Sequence, residues 1–216
     1  MASKIKVDEL ETVSGSGNIV LNNALSGSGA SLTNLSASAV SGTHTSFTST
    51  GIDDNASGAT AITISADEEV TMPKQPSFTG YLTGTQSNVS GDATAYAITG
   101  AIWSEWIDRN ADFVNGTFTA PVTGQYLATA TIEFEGIISS HTRVTISFVT
   151  SNRTYQMCWY NLYAVSNIGI CSIPASAVFD MDAADTVHLS ITITGGTKVV
   201  EVNGTSPTVF TVSLLS

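Results

Sequence analysis

Residues 115–134, NGTFTAPVTGQYLATATIEF, decide the fold. A polar turn leads into Phe118, Pro121 makes a hinge, and Gly124 opens a tight turn. Tyr126, Ala128, Ala130, Ile132 and Phe134 then alternate with small or polar residues. Period-two alternation marks a half-buried strand, and a Pro/Gly corner before it turns the chain from one strand to the next. The stretch predicts a corner of an antiparallel sandwich.

The same pattern continues outward through the second half of the chain. Strands are predicted at 77–83, 102–107, 116–118, 125–133, 143–150, 155–160, 169–173, 177–180, 186–194, 198–202 and 208–215. They are separated by turn residues at short intervals, the pattern of an all-β sandwich or jelly roll. No helix of useful length is expected.

The first half differs. Of the chain's aromatic residues, Phe47 alone precedes residue 76, and residues 1–75 hold 22 Ser or Thr. Such a segment cannot bury enough apolar surface to form a core by itself. Short apolar pulses nevertheless recur: Ile19 to Leu21, Leu25, Leu32, Leu35, Val40, Phe47, Ile52, Ile62, Ile64 and Val70. Small-residue turns such as Ser14 to Gly17 and Ser26 to Gly29 separate them. Three copies side by side can bury those pulses along a shared axis, so the segment reads as an oligomeric stem, with a disordered linker as the other reading.

Charge excludes two classes of partner. With 7 Lys or Arg against 18 Asp or Glu, the net charge is −11. Phosphate neutralisation needs a basic cluster, so nucleic acid is not an expected ligand. An anionic bilayer surface is excluded for the same reason. No apolar run approaches the length of a membrane span. The N-terminal stretch MASKIKVDELETV has no apolar core of a secretory signal. The two cysteines, Cys158 and Cys171, read as reduced thiols, since nothing implies an oxidising compartment.

KIKVDELETVSGSGNIVLNN, ASLTNLSASAVSGT and ATAITISADEEVTMPKQPSF resemble N-terminal and neck segments of bacteriophage tail-fibre and virion-appendage proteins. The resemblance covers most of residues 1–80. It implies a virion attachment segment at 1–23, a Ser/Thr/Gly-rich stem at 24–75 and a head at 76–216. Residues 76–216 resemble the globular head of the complement-q and tumour-necrosis-factor superfamily. The likeness rests on Pro76-Ser77-Phe78, Trp103, Asn110, Gly116 to Pro121, Gly124 to Tyr126, Asp185 to Leu189 and Phe210 to Leu215. Ala184 and Val212 stand where that family usually has Gly, and no collagen repeat precedes the head. The resemblance implies an antiparallel jelly roll that assembles as a homotrimer. The final strand stays apolar to its end, which predicts docking against its own sandwich or at a trimer axis. Phe210, Val212 and Leu214 are the candidates for that trimer core.

Little in the sequence points to catalysis. His44, His141 and His188 are far apart, and no glycine-flanked nucleophilic serine supports a triad. Glu105 with Asp108, Glu133 with Glu135, and Asp180 with Asp182 and Asp185 are the acidic groupings. They read as solvated faces and turn residues. Calcium ligation by the last group, or by Asp53-Asp54-Asn55, lacks EF-hand spacing. No catalytic, cofactor or metal site is therefore expected. A binding surface fits better: the loops expected to hold Trp103 and Trp106, Trp159 with Tyr160, and Tyr163 carry aromatics of the kind that stacks on sugar rings. The segment 160–167, with Tyr160, Asn161, Tyr163 and Asn167, is the first candidate for a receptor-facing loop. The loop 136–142, with His141, is the second.

The sequence thus predicts a non-enzymatic bacteriophage structural protein, located on the virion as a tail or capsid appendage. Its expected partners are two further copies of itself, other virion proteins through the N-terminus, and a host-surface glycan or protein. A capsid decoration or head-fibre protein without a receptor, and a cellular complement-q-like lectin, are the other two readings.

Overall fold

Alternation of large apolar and small polar residues recurs along nearly every strand, and each such strand has a buried and an outward face. The computed structural model describes residues 62–162 and 169–215, all within the compact unit Ser49–Ser216. The strands in chain order are β1 Thr63–Ile64, β2 Val70–Thr71, β3 Ser77–Leu82, β4 Gln86–Ser90 and β5 Ala95–Ala97. They continue with β6 Trp103–Arg109, β7 Phe113–Val114, β8 Thr117–Thr119, β9 Gly124–Ile137 and β10 Arg143–Thr150. The last five are β11 Thr154–Asn161, β12 Gly169–Met181, β13 Thr186–Thr194, β14 Val200–Val202 and β15 Val209–Leu214. No α-helix occurs among the described residues, so none there is long and apolar enough to cross a membrane.

One sheet runs β12-β9-β15-β3-β6, with β14 and β4 extending it beside the end of β9. The other runs β11-β10-β13-β8-β7, with β5 also on β13. Every pairing is antiparallel. Four principal strands of each sheet, β3-β15-β9-β12 and β8-β13-β10-β11, interleave in sequence as a jelly roll does. The protein is an all-β antiparallel jelly roll, as its strand pattern predicts.

The core lies between the sheets. Phe78, Tyr126, Ile132, Phe134 and Phe210 from one sheet meet Phe118, Ile146, Phe148, Leu189 and Ile191 from the other, all fully buried. Phe210 sits among aromatic rings, 5.7 Å from Phe78, 6.2 Å from Phe113 and 6.1 Å from Phe148 across the sandwich. Phe78 stacks on Phe113 at 3.6 Å. Tyr126, from the stretch at 115–134, buries its ring and keeps its hydroxyl satisfied by donating 2.7 Å to the Val122 carbonyl. That bond ties the start of β9 to the Pro121 corner before it.

Two strand predictions are corrected. The segments at 169–173 and 177–180 form a single strand, β12, which runs through Pro174. Proline has no N–H to give a ladder, and β12 borders the sheet with β9 as its ladder partner, so the ring nitrogen faces the unpaired edge. The short strands β4, β5 and β7 were not anticipated; QSNVS, AYA and FV are too short or too polar to show a period. The β1–β2 hairpin lies in residues assigned from sequence to the stem, and its turn is held by Ser65 Oγ accepting from the Asp67 and Glu69 amides. The attachment segment at 1–23 and the stem up to residue 61 lie outside the described residues.

Candidate functional site

The β10–β11 register builds the site. Arg143 opposes Asn161, Val144 opposes Tyr160, and Thr145 opposes Trp159. β11 borders its sheet, so a large side chain on its outward face has no further strand to cover it. Trp159 is accordingly 74% exposed. Its neighbour across the strand pair, Arg143, lays its guanidinium 5.0 Å from the indole centroid. A cation over an aromatic face is held by the ring quadrupole, about 0.5–1 kcal/mol at an exposed site. Thr142, Arg143, Trp159, Tyr160 and Asn161 line an open cleft of about 280 Å³.

The electrostatics of Arg143 are unusual. It forms no ion pair within the described part of the chain, and its Nε is shielded from solvent without a hydrogen-bond partner.

The two segments singled out from sequence converge here. Tyr160 and Asn161 are the end of β11, not loop residues, and Tyr160 is 45% exposed. The Leu162 amide donates 3.0 Å to the Thr142 carbonyl, so the loop at 136–142 and the start of 160–167 adjoin. Tyr163 and Asn167 lie outside the described residues. Arg143 was not anticipated, because it sits inside a strand and gains its meaning from register alone.

His141 is a correction. It is fully buried rather than receptor-facing. Nδ1 accepts from the Ile138 amide at 3.1 Å. The ring proton therefore sits on Nε2, which donates to the Thr197 carbonyl at 3.1 Å. Two loops close on the imidazole where glycines leave room: a Cβ at Gly196 would strike the ring's Cδ2, and one at Gly91 would come within 2.8 Å of Nε2. His141 is a clasp that holds the loop leading into Arg143.

The trimer-core candidates are relocated. Phe210 and Val212 are fully buried inside the protomer's own sandwich, and Leu214 packs partly buried against that core. Strand alternation leaves their neighbours Val209, Thr211 and Ser213 on the outer face.

The remaining candidates resolve into structural roles. Trp103 donates its Nε1 2.9 Å to the Ile98 carbonyl beneath the core aromatics. Trp106 is 55% exposed and stacks on Tyr81 at 4.9 Å. Asp108 accepts from the Asp112 and Phe113 amides at 3.0 and 3.2 Å, closing the β6–β7 turn, while Glu105 is exposed. Asn203 bridges Glu133 and Glu135, donating 3.1 Å to each. Asp185 accepts from Ser151 Oγ and Asn152 Nδ2 at 2.6 Å and from the Asp182 amide at 2.9 Å. The Ser151 hydroxyl first, then these other donors, hold its carboxyl below the usual range. That is turn chemistry rather than ligation. Among the described residues no three His, Cys, Asp or Glu side chains converge as a metal site would require. Cys158 and Cys171 are free thiols, and burial pushes both pKa values up.

The fold and the cleft define a jelly-roll domain with a cationic-aromatic surface cleft and no assembled catalytic group among the described residues. Comparison with solved structures finds the globular domain of zebrafish complement 1qA protein, at 19% identity and TM-score 0.45, covering 66% of this chain and 98% of that one. Murine APRIL is found at pH 8.5, with 14% identity and TM-score 0.44, covering 66% of this chain and 100% of that one. The murine APRIL structure at pH 5.0 gives 14% and 0.45 with the same coverage. No family model and no curated protein sequence matches the chain.

Proposed function

We propose that this chain is a trimeric, non-enzymatic bacteriophage fibre whose jelly-roll head binds a host-surface glycan or protein. The observation that carries the reading is Trp159, held out on an edge strand and backed by Arg143 beside Tyr160. An exposed indole face beside a cation in an open cleft is a stacking platform for a flat ligand surface. Multiple heads on one fibre give such a shallow site useful strength through avidity.

The outer face of the β9–β12 pair supports the trimer. Thr129, Thr131, Pro174 and Ser176 lie there with Val178, which is 53% exposed. Charges stand at its two ends, Glu133 and Glu135 at one and Asp180 at the other. A groove of about 460 Å³ across this face is lined by uncharged residues, including Val209 and Met157. Without a charged group in it, the groove suits a flat protein contact with another copy.

The purified chain is expected to block adsorption of the particle that carries it, and Trp159→Ala protein with an unchanged circular-dichroism spectrum is expected not to. Equal blocking by both proteins would refute an attachment role for this cleft.

A further inference from the structure

We infer that the cleft at Arg143 and Trp159 selects a carboxylated sugar, one uronate-type residue of an acidic polysaccharide, in preference to a neutral one; this rests on the attachment reading above. Size comes first. A cleft of about 280 Å³ lies at the lower end of ordinary ligand pockets, which matches a single pyranose rather than an extended chain. Shape comes next. The indole at 74% exposure is a flat apolar platform, and the apolar face of a pyranose is its natural complement.

Charge decides the class. Arg143 lines the cleft and has no carboxylate partner among the described residues. A ligand carboxylate in the cleft can accept from the guanidinium's terminal N–H groups in one planar contact. A neutral hydroxyl at this place gives a weaker bond and leaves the cation uncompensated. Thr142 and Tyr160 add hydroxyls at the rim for the remaining sugar oxygens. The chain's net charge of −11 works against general attraction of polyanions. Selection of an acidic sugar must then come from this local cation, which makes Arg143 testable by itself.

The test is titration of the full-length protein with a galacturonate trisaccharide and its neutral galactose counterpart, followed by isothermal calorimetry. The expected result is binding of the acidic sugar at least about tenfold tighter than the neutral one, weakening with added salt. Arg143→Gln should bring the two affinities together, and Trp159→Ala should weaken both. Trp106→Ala, on the opposite sheet, is the folded control and should change neither. Equal affinity for the two sugars in the parent protein, or a preference that survives Arg143→Gln, would overturn the assignment. These outcomes separate from the attachment test: loss of the acidic preference with adsorption still blocked through Trp159 removes the ligand class alone. Unaltered blocking by Trp159→Ala removes the attachment role while the sugar titration stands by itself.

Discussion

Replacing Phe210 with alanine tests how the two faces of β15 are divided. The ring is fully buried and touches aromatic partners of both sheets, Phe78 on its own sheet and Phe113 and Phe148 on the other. Removing it forfeits about 2 kcal/mol of apolar burial at about 25 cal/mol per Å². The ring leaves a void on the order of 100 Å³, which adds about 2 kcal/mol at about 24 cal/mol per Å³ if the walls do not collapse. The expected cost is about 4 kcal/mol, a large part of a domain stability of about 5–15 kcal/mol. Thr211→Ala, one residue on, removes an outward cross-strand bond to Thr79 at 3.3 Å, worth about 0.2–1 kcal/mol. Urea unfolding of both variants at one fixed protein concentration, followed by fluorescence, measures the contrast. A Phe210→Ala cost below about 1.5 kcal/mol, or a Thr211→Ala cost that exceeds it, would refute the assignment of Phe210 to the protomer's own core.

Three further expectations follow from particular groups. His141→Ala orphans the Ile138 amide and the Thr197 carbonyl and is expected to cost about 2–4 kcal/mol in urea unfolding, with the sugar cleft weakened as the loop before Arg143 loosens. Burial lowers the pKa of His188, so its contribution is present above the unfolded value of about 6.5 and is lost as pH falls through the depressed folded value; His188→Gln should flatten the stability profile in that window, as thermal melts from pH 7.5 to 5 would show. Cys158 and Cys171 should react with a maleimide at pH 7 far more slowly than a free thiol peptide, since burial keeps both protonated, and Glu133→Gln should speed Cys171 selectively because Glu133 adds to its shift.

Legibility in the sequence followed local pattern. The strands at 143–150 and 186–194 have the ends expected of β10 and β13, because apolar and polar residue types alternate from Val144 to Phe148 and from Val187 to Ile193. Pro174 misled the reading of β12, since a proline looks like a break unless the strand is known to lie at an edge. His141 looked like a loop histidine because the glycines that make space for it, Gly91 and Gly196, are about fifty residues away in either direction. Tyr160 was recognisable as an aromatic near a turn. Arg143 was not, because only the pairing of β10 with β11 sets it beside Trp159. Local alternation is written in neighbouring residues, whereas a site assembled by register is written in none of them.

Pro174 has one further consequence. The free edge of β12 lacks a donor at its centre, and the β10–β11 and β3–β6 pairings at the other long borders each carry a bulge. Of the other borders, β7 is two residues long, β5 three, and the β4–β14 pairing carries a register shift. An invading extended chain meets an interrupted ladder at each of these borders of the described sandwich. Many copies can then be crowded together at high local concentration without templating one another into amyloid, so growth by runaway strand addition is closed off and association is left to side-chain faces.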